Sequence, residues 1–172
     1  MNGAWLLVWP AWQRLLHAVL ALAVLTALAT HEGGPVHEVA GYVAGVAALL
    51  RIGLGFVGPA VARFDGFVRG PSEVGAYLGR LRAGLAERHL NHNPAGGWMV
   101  VLLLATATLA AGTGALFVTD RFWGVAWVIA AHTLLAWPLA GLVPLHLAGV
   151  ALSSRLHHEN LAAAMVHGRK RP

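Results

Sequence analysis

Four histidines lie inside long apolar stretches of this 172-residue chain, where an ionisable side chain is costly to bury and is therefore often functional. They are His17, His37, His132 and His146. A neutral imidazole can bind a metal, relay protons or make a hydrogen bond that supports packing. The chain has 10 histidines and 0 cysteines, which excludes disulfides, iron–sulfur clusters, thiolate zinc sites and covalently attached c-type haem. The histidines are therefore the main indication of function.

The composition indicates that these histidines belong to a membrane protein. Hydrophobic residues make up 58% of the chain and charged residues 11%, less than half the charged share of about 25% usual in soluble domains. Four apolar segments approach or exceed the length of about 20 residues that crosses a bilayer. They lie near residues 12–30, 36–57, 97–118 and 125–154. The sequence predicts an all-α integral membrane four-helix bundle, with residues 1–172 forming one transmembrane domain.

The basic residues predict how the bundle is oriented. Of the 12 lysines and arginines, 10 lie in the N-terminal segment, in the long connection 58–96 and in the C-terminal tail. Four crossings put these three segments on one side, which the positive-inside rule assigns to the cytoplasm. Both termini are therefore expected to be cytoplasmic. The net charge of +5 reflects this topology, and we expect no nucleic-acid partner.

Two segments have a second interpretation. Within the long connection, the stretch "SEVGAYLGRLRAGL" has apolar residues at helical spacing, which predicts a short helix on the cytoplasmic surface. A solvated loop helix is the alternative. The first crossing resembles a cleaved signal peptide at "LTALAT", but no basic residue precedes Trp5 and the apolar run is longer than a typical signal core.

The spacing of the four histidines pairs them by depth. His132 and His146 are 14 residues apart, which is nearly four helical turns, so they share one helix face about 21 Å apart. His17 begins a crossing that runs outward and His37 begins one that runs inward. The predicted pairs are therefore His17 with His146 at the cytoplasmic level and His37 with His132 at the outer level.

Two opposed imidazoles are the axial ligands that a haem iron takes in a helix bundle. The sequence therefore predicts two haems, which are b-type because no cysteine can attach them. Ligation by two histidines leaves no open iron position and favours electron transfer over oxygen chemistry. Gly41, Gly45 and Gly149 lie close after the histidines and either leave room for the porphyrins or allow close helix packing.

Arg51 follows His37 by 14 residues and should face the same way at the inner level. It either pairs with a propionate of the inner haem, since guanidinium matches carboxylate, or extends to the cytoplasmic interface. The remaining six histidines are interpreted as interfacial or surface residues, one of which could shuttle protons near a quinone. They are His31, His89, His92, His157, His158 and His167.

Several stretches carry a family resemblance. They are "RLLHAVLA" around His17, "VHEVAGYVAGVAALLRIGLGFVGP", "RFDGFVRGP", "HNPAGG", "LHLAGVALSSRLHHENL" and "GRKR". With these motifs the chain resembles the bacterial cytochrome b561 family, which includes the membrane cytochrome b subunit of nickel–iron hydrogenases. The resemblance implies two b haems in a four-helix bundle of the bacterial inner membrane, in exchange with quinone. It places the ligands at the same four histidines and the family's arginine at Arg51.

This chain departs from the family at two places. His132 has no acidic neighbour in "VIAAHTLLA", and Ala18 stands where members often have tryptophan. We expect a transmembrane electron carrier between the quinone pool and a redox partner such as a c-type cytochrome or a hydrogenase-like subunit. The alternatives are a stand-alone superoxide:quinone oxidoreductase, a histidine-lined metal-ion transporter and a passive anchor for a larger complex.

Overall fold

The computed structural model describes residues 5–171, which are mostly helical. The strands are β1 (Leu6–Leu7) and β2 (Arg169–Lys170), and a 3-10 turn covers Phe64–Gly66. The helices are α1 (Ala11–Ala29), α2 (Pro35–Val57), α3 (Pro71–Arg82), α4 (Pro94–Phe117), α5 (Ala126–Leu156) and α6 (Leu161–His167). Four of them, α1, α2, α4 and α5, are long and apolar enough to cross a membrane. The predicted all-α protein with four membrane helices is therefore confirmed, with helix ends within three residues of those expected.

Proline and its neighbours determine where three of the helices begin. α2, α3 and α4 each start at a proline, whose fixed φ suits the first helical turn and whose missing N–H costs nothing there. Before α4, the Asn93 side chain accepts a hydrogen bond of 2.7 Å from the Gly96 N–H. Before α2, Gly33 and Gly34 have φ of +97° and +91°, a region that other residues rarely adopt. These local signals place His37 in the first turn of α2.

The long connection between α2 and α4 contains the predicted short helix, α3. Tyr77 is its buried residue, and burial raises the pKa of the Tyr77 hydroxyl. Arg80 and Arg82 are exposed. The helix therefore has one inward-facing side and one charged side, while its position at the cytoplasmic surface stays a prediction.

The chain divides into two compact units. The terminal unit comprises Met1–Arg14, Leu54–Val101 and Leu145–Pro172, and the central unit comprises Leu15–Gly53 and Leu102–Pro144. The interpretation of residues 1–172 as one domain stays a prediction. In the central unit, all four long helices contribute to a core of small and branched side chains: Ala23, Val24, Ala44, Ala107 and Leu139.

In the terminal unit the two chain ends pair with each other. β1 and β2 are antiparallel, with Leu6 opposite Lys170 and Leu7 opposite Arg169. The N–H groups of Val8 and Trp9 donate to the Gly168 carbonyl at 2.8 and 3.0 Å. Gly168 has φ of +81°, and a Cβ there would lie 2.4 Å from the Trp9 carbonyl oxygen. Glycine is therefore required for this contact.

A partly buried ion pair holds the C-terminal segment in the same unit. Arg88 Nε donates to Glu159 Oε1 at 2.8 Å, and the Glu159 side chain is 7% exposed. Lys170 is 5% exposed, and its Nζ lies 3.5 Å from the His89 carbonyl oxygen. Burial lowers the pKa of Lys170, and the Glu159 carboxylate opposes this effect. Glu159 is thus the counter-charge to both cations.

Glu159→Gln should lower the free energy of unfolding by about 1–3 kcal/mol, because two poorly solvated cations lose their carboxylate. The measurement is thermal unfolding of the purified protein in detergent. Glu73→Gln is the matched control, since Glu73 pairs with Arg69 at 4.0 Å in an exposed position. That change should cost at most about 0.5 kcal/mol. Equal losses in the two variants would contradict this account.

Candidate functional site

The central unit brings together two of the predicted ligands, His37 and His132. Their ring centroids are 6.0 Å apart and their planes lie at 80° to each other. His37 stands in the first turn of α2 and His132 in the second turn of α5. Both side chains are half-buried. This is the pair that the depth argument assigned to the outer level.

Backbone carbonyls determine which nitrogen of each ring carries the proton. His37 Nδ1 lies 3.0 Å from the Ala27 carbonyl oxygen on α1, and His132 Nδ1 lies 3.0 Å from the Ala110 carbonyl oxygen on α4. A carbonyl oxygen only accepts hydrogen bonds, so Nδ1 must be the donor in both rings. In a neutral ring the lone pair is then on Nε2, the form in which a histidine ligates a metal while its other nitrogen is held by a carbonyl.

The spacing of the two rings also suits a shared metal. Two metal–nitrogen bonds of about 2 Å, with about 1 Å from each nitrogen to its ring centre, span about 6 Å. The observed separation of 6.0 Å between centroids has this size. Haem iron needs two protein ligands because the porphyrin supplies the other four. The separation of the two imidazoles therefore fits a haem iron bound by one ring from α2 and one from α5.

The other three predicted site residues lie on α1, α2 and α5. His17 is an exposed residue of α1 in the central unit, whereas His146 is half-buried on α5 in the terminal unit. Arg51 is 8% exposed and lies on α2 in the central unit. The pairing of His17 with His146 and the role of Arg51 stay predictions.

A family model described as prokaryotic cytochrome b561 matches residues 8–168. The chain belongs to the prokaryotic cytochrome b561 family. Searches of curated proteins and of solved structures gave no match. Members of this family typically bind haem b, and the family implies transmembrane electron transfer through such haems. The histidine pair of the central unit agrees with that chemistry.

The glycines near the histidines differ in what they contact. A Cβ at Gly45 would lie 2.8 Å from the Ala111 Cβ, so this glycine allows α2 to pack closely on α4. A Cβ at Gly41 or Gly149 would meet no atom of the protein within 4 Å. Close helix packing therefore explains Gly45, while both interpretations stay open for the other two. Gly114 has a different role, because a Cβ there would lie 3.1 Å from His132 Cε1.

Some groups at this site have no recognisable signal in the sequence. The carbonyls of Ala27 and Ala110 belong to the backbone, which every residue has. The Thr113 hydroxyl lies 3.3 Å from His132 Nδ1. This contact was not predicted from the sequence, although a threonine within an apolar helix is visible in the sequence. His92, expected at an interface or surface, is half-buried and packs against the rings of Trp9 and Phe67, with centroids 5.1 and 4.6 Å away.

Gly45→Ala should lower the free energy of unfolding by about 1–3 kcal/mol, because the added methyl overpacks the contact with Ala111. Thermal unfolding of the purified protein is again the measurement. Gly53→Ala on the same helix is the control, since a Cβ there has nothing within 4 Å. It should leave stability unchanged or raise it by up to about 1 kcal/mol through helix propensity. A destabilised Gly53→Ala variant would show that the contact is not the cause.

Proposed function

We propose that this protein carries electrons across the bacterial inner membrane through two b haems, between a redox partner and the quinone pool. Membership of the cytochrome b561 family establishes electron transfer through b haems in general terms. The observation that supports the specific proposal is the pair His37 and His132, with both Nδ1 hydrogens donated to carbonyls. Electron transfer accounts for this pair better than metal-ion transport does, because both imidazoles are held in a fixed orientation.

His37 and His132 are the proposed ligands of the outer haem. The carbonyls of Ala27 and Ala110 orient the rings, keep the proton on Nδ1 and make Nε2 a stronger donor. His37 and His132 would hold a haem that supplies one-electron chemistry, and ligation by both would leave no iron position for oxygen. The protein thus contributes ligand orientation, ligand basicity and an apolar surrounding.

His17 and His146 are the proposed ligands of the inner haem. Their positions in the sequence put them at the cytoplasmic level, near the start of α1 and in the second half of α5. Arg51, a buried cation in an apolar helix, is proposed to bind a propionate of this haem, because its guanidinium can engage a carboxylate through two parallel hydrogen bonds.

The distribution of charge suggests which side faces the cytoplasm. Ten of the 12 basic residues lie in the segments assigned to the cytoplasmic side, so both termini are proposed to be cytoplasmic. The first turn of α2, with His37, then lies at the outer end of its helix. We propose that a c-type cytochrome or a hydrogenase-like subunit exchanges electrons at this side.

A stand-alone superoxide:quinone oxidoreductase is the second candidate. It would use the same haems but would take electrons from superoxide without a protein partner. This candidate is supported by the exposure of His37 and His132, which are half-buried near the outer ends of their helices. A small oxidisable molecule could approach a haem there.

His37→Ala and His132→Ala should each remove one haem, and the same one, because each removes an axial ligand. His17→Ala and His146→Ala should remove the other. Haem content per chain and spectroelectrochemical titration measure this. His31→Ala, an exposed histidine in the connection between α1 and α2, is the control and should keep both haems. Indistinguishable titrations for the His17 and His132 variants would overturn the pairing.

Electron exchange with quinone can be tested on the purified protein in detergent. Under anaerobic conditions, either a naphthoquinol or benzoquinol should reduce the oxidised haems within seconds, or the corresponding quinone should oxidise the reduced haems. The partner-dependent proposal expects slow reduction by superoxide. Fast reduction by superoxide, followed by electron transfer to added quinone, would instead support the stand-alone oxidoreductase. Quinone as a partner would be contradicted if no quinol tested reduced the oxidised haems and no quinone tested oxidised the reduced haems.

A further inference from the structure

Thr113 on α4 contributes a second acceptor at the His132 ring. Its Oγ1 lies 3.3 Å from His132 Nδ1, while the Ala110 carbonyl oxygen lies 3.0 Å from the same nitrogen. The hydroxyl is itself 2.9 Å from the Leu109 carbonyl oxygen and 3.0 Å from that of Ala110. Because carbonyls only accept, the hydroxyl donates its hydrogen to the helix backbone and its lone pairs face the His132 N–H.

The two imidazoles of the pair are therefore held differently. Among the described residues, His37 Nδ1 donates to one acceptor, the Ala27 carbonyl. The N–H of His132 is shared between a carbonyl and a hydroxyl. Two acceptors withdraw the Nδ1 hydrogen more strongly than one and make Nε2 the better electron donor.

Gly114, the next residue, leaves the space that the contact between Thr113 and His132 needs. A Cβ at Gly114 would lie 3.1 Å from His132 Cε1 and 3.4 Å from Nδ1, so a larger residue would press on the ring. The glycine lets the imidazole lie against α4, and the preceding threonine then meets its N–H. Thr113 and Gly114 thus form the part of α4 against which the His132 ring packs.

We propose that Thr113 is a positioning residue that lowers the reduction potential of the haem bound by His132. This inference rests on the proposed function, in which His132 is an axial ligand. A more basic imidazole stabilises ferric over ferrous iron, so the hydroxyl favours the oxidised haem. The effect is confined to one haem, because the hydroxyl contacts a ligand of that haem alone.

Thr113→Val removes the hydroxyl with little change in side-chain shape. Loss of one weak hydrogen bond that favours one oxidation state corresponds to about a threefold change in an equilibrium constant. We therefore expect the ratio of reduced to oxidised His132 haem to rise about threefold at a fixed ambient potential, an upward shift of about 28 mV for one electron. The other haem should keep its potential, and it serves as the internal reference in spectroelectrochemical titration.

Two further variants separate the imidazole contact from other effects. Thr106 lies seven residues earlier on α4 and donates to the carbonyls of Leu102 and Leu103 at 2.8 and 3.2 Å. Thr106→Val therefore loses the same kind of bond to the helix backbone and should shift neither haem. Thr113→Ser keeps a hydroxyl and should retain the wild-type potential.

The inference is overturned if Thr113→Val binds both haems without a potential shift, shifts the potential downward or matches Thr106→Val. It is also overturned if Thr113→Ser behaves like the valine variant. Should the valine variant lose the haem, Thr113→Ala replaces it, and equal potentials for the alanine and serine variants would then refute the inference. Failure of the proposed function is distinct, because His132→Ala would then retain both haems.

Discussion

In the central unit, His37 and His132 each donate the Nδ1 hydrogen to a backbone carbonyl of the long helix that precedes them, at Ala27 and Ala110. In an apolar interior an imidazole N–H without a partner would cost about 1–3 kcal/mol, so the bond determines both ring orientation and tautomer. The same two bonds connect α2 to α1 and α5 to α4. Imidazole orientation and helix pairing in this unit thus depend on one type of contact.

Small residues make these contacts sterically possible. The core of the central unit is rich in alanine, Gly45 brings α2 against Ala111 of α4, and Gly114 leaves room for the His132 ring. Helices in lipid gain little from burying apolar side chains, because the surrounding lipid is equally apolar. Close backbone approach and polar contacts therefore determine how such helices pack, and larger apolar residues such as Leu22 and Leu25 are left exposed.

The terminal unit is stabilised by a different set of forces. Its chain ends pair as two short strands, Glu159 neutralises Arg88 next to the buried Lys170, and His92 packs between Trp9 and Phe67. The basic residues that predict the cytoplasmic side therefore also take part in the structure of this unit.

The sequence by itself determined the four long helices, the family and the candidate ligands, because apolar length and histidine spacing are local properties of the chain. Tertiary structure alone decided which atoms the His37 and His132 rings contact, why Gly45 differs from Gly41, and that Arg88 pairs with Glu159. The physical reason is that helix rotation and depth decide which side chain meets which carbonyl. Thr106 and Thr113 look alike in the sequence, yet only the second lies at a histidine ring.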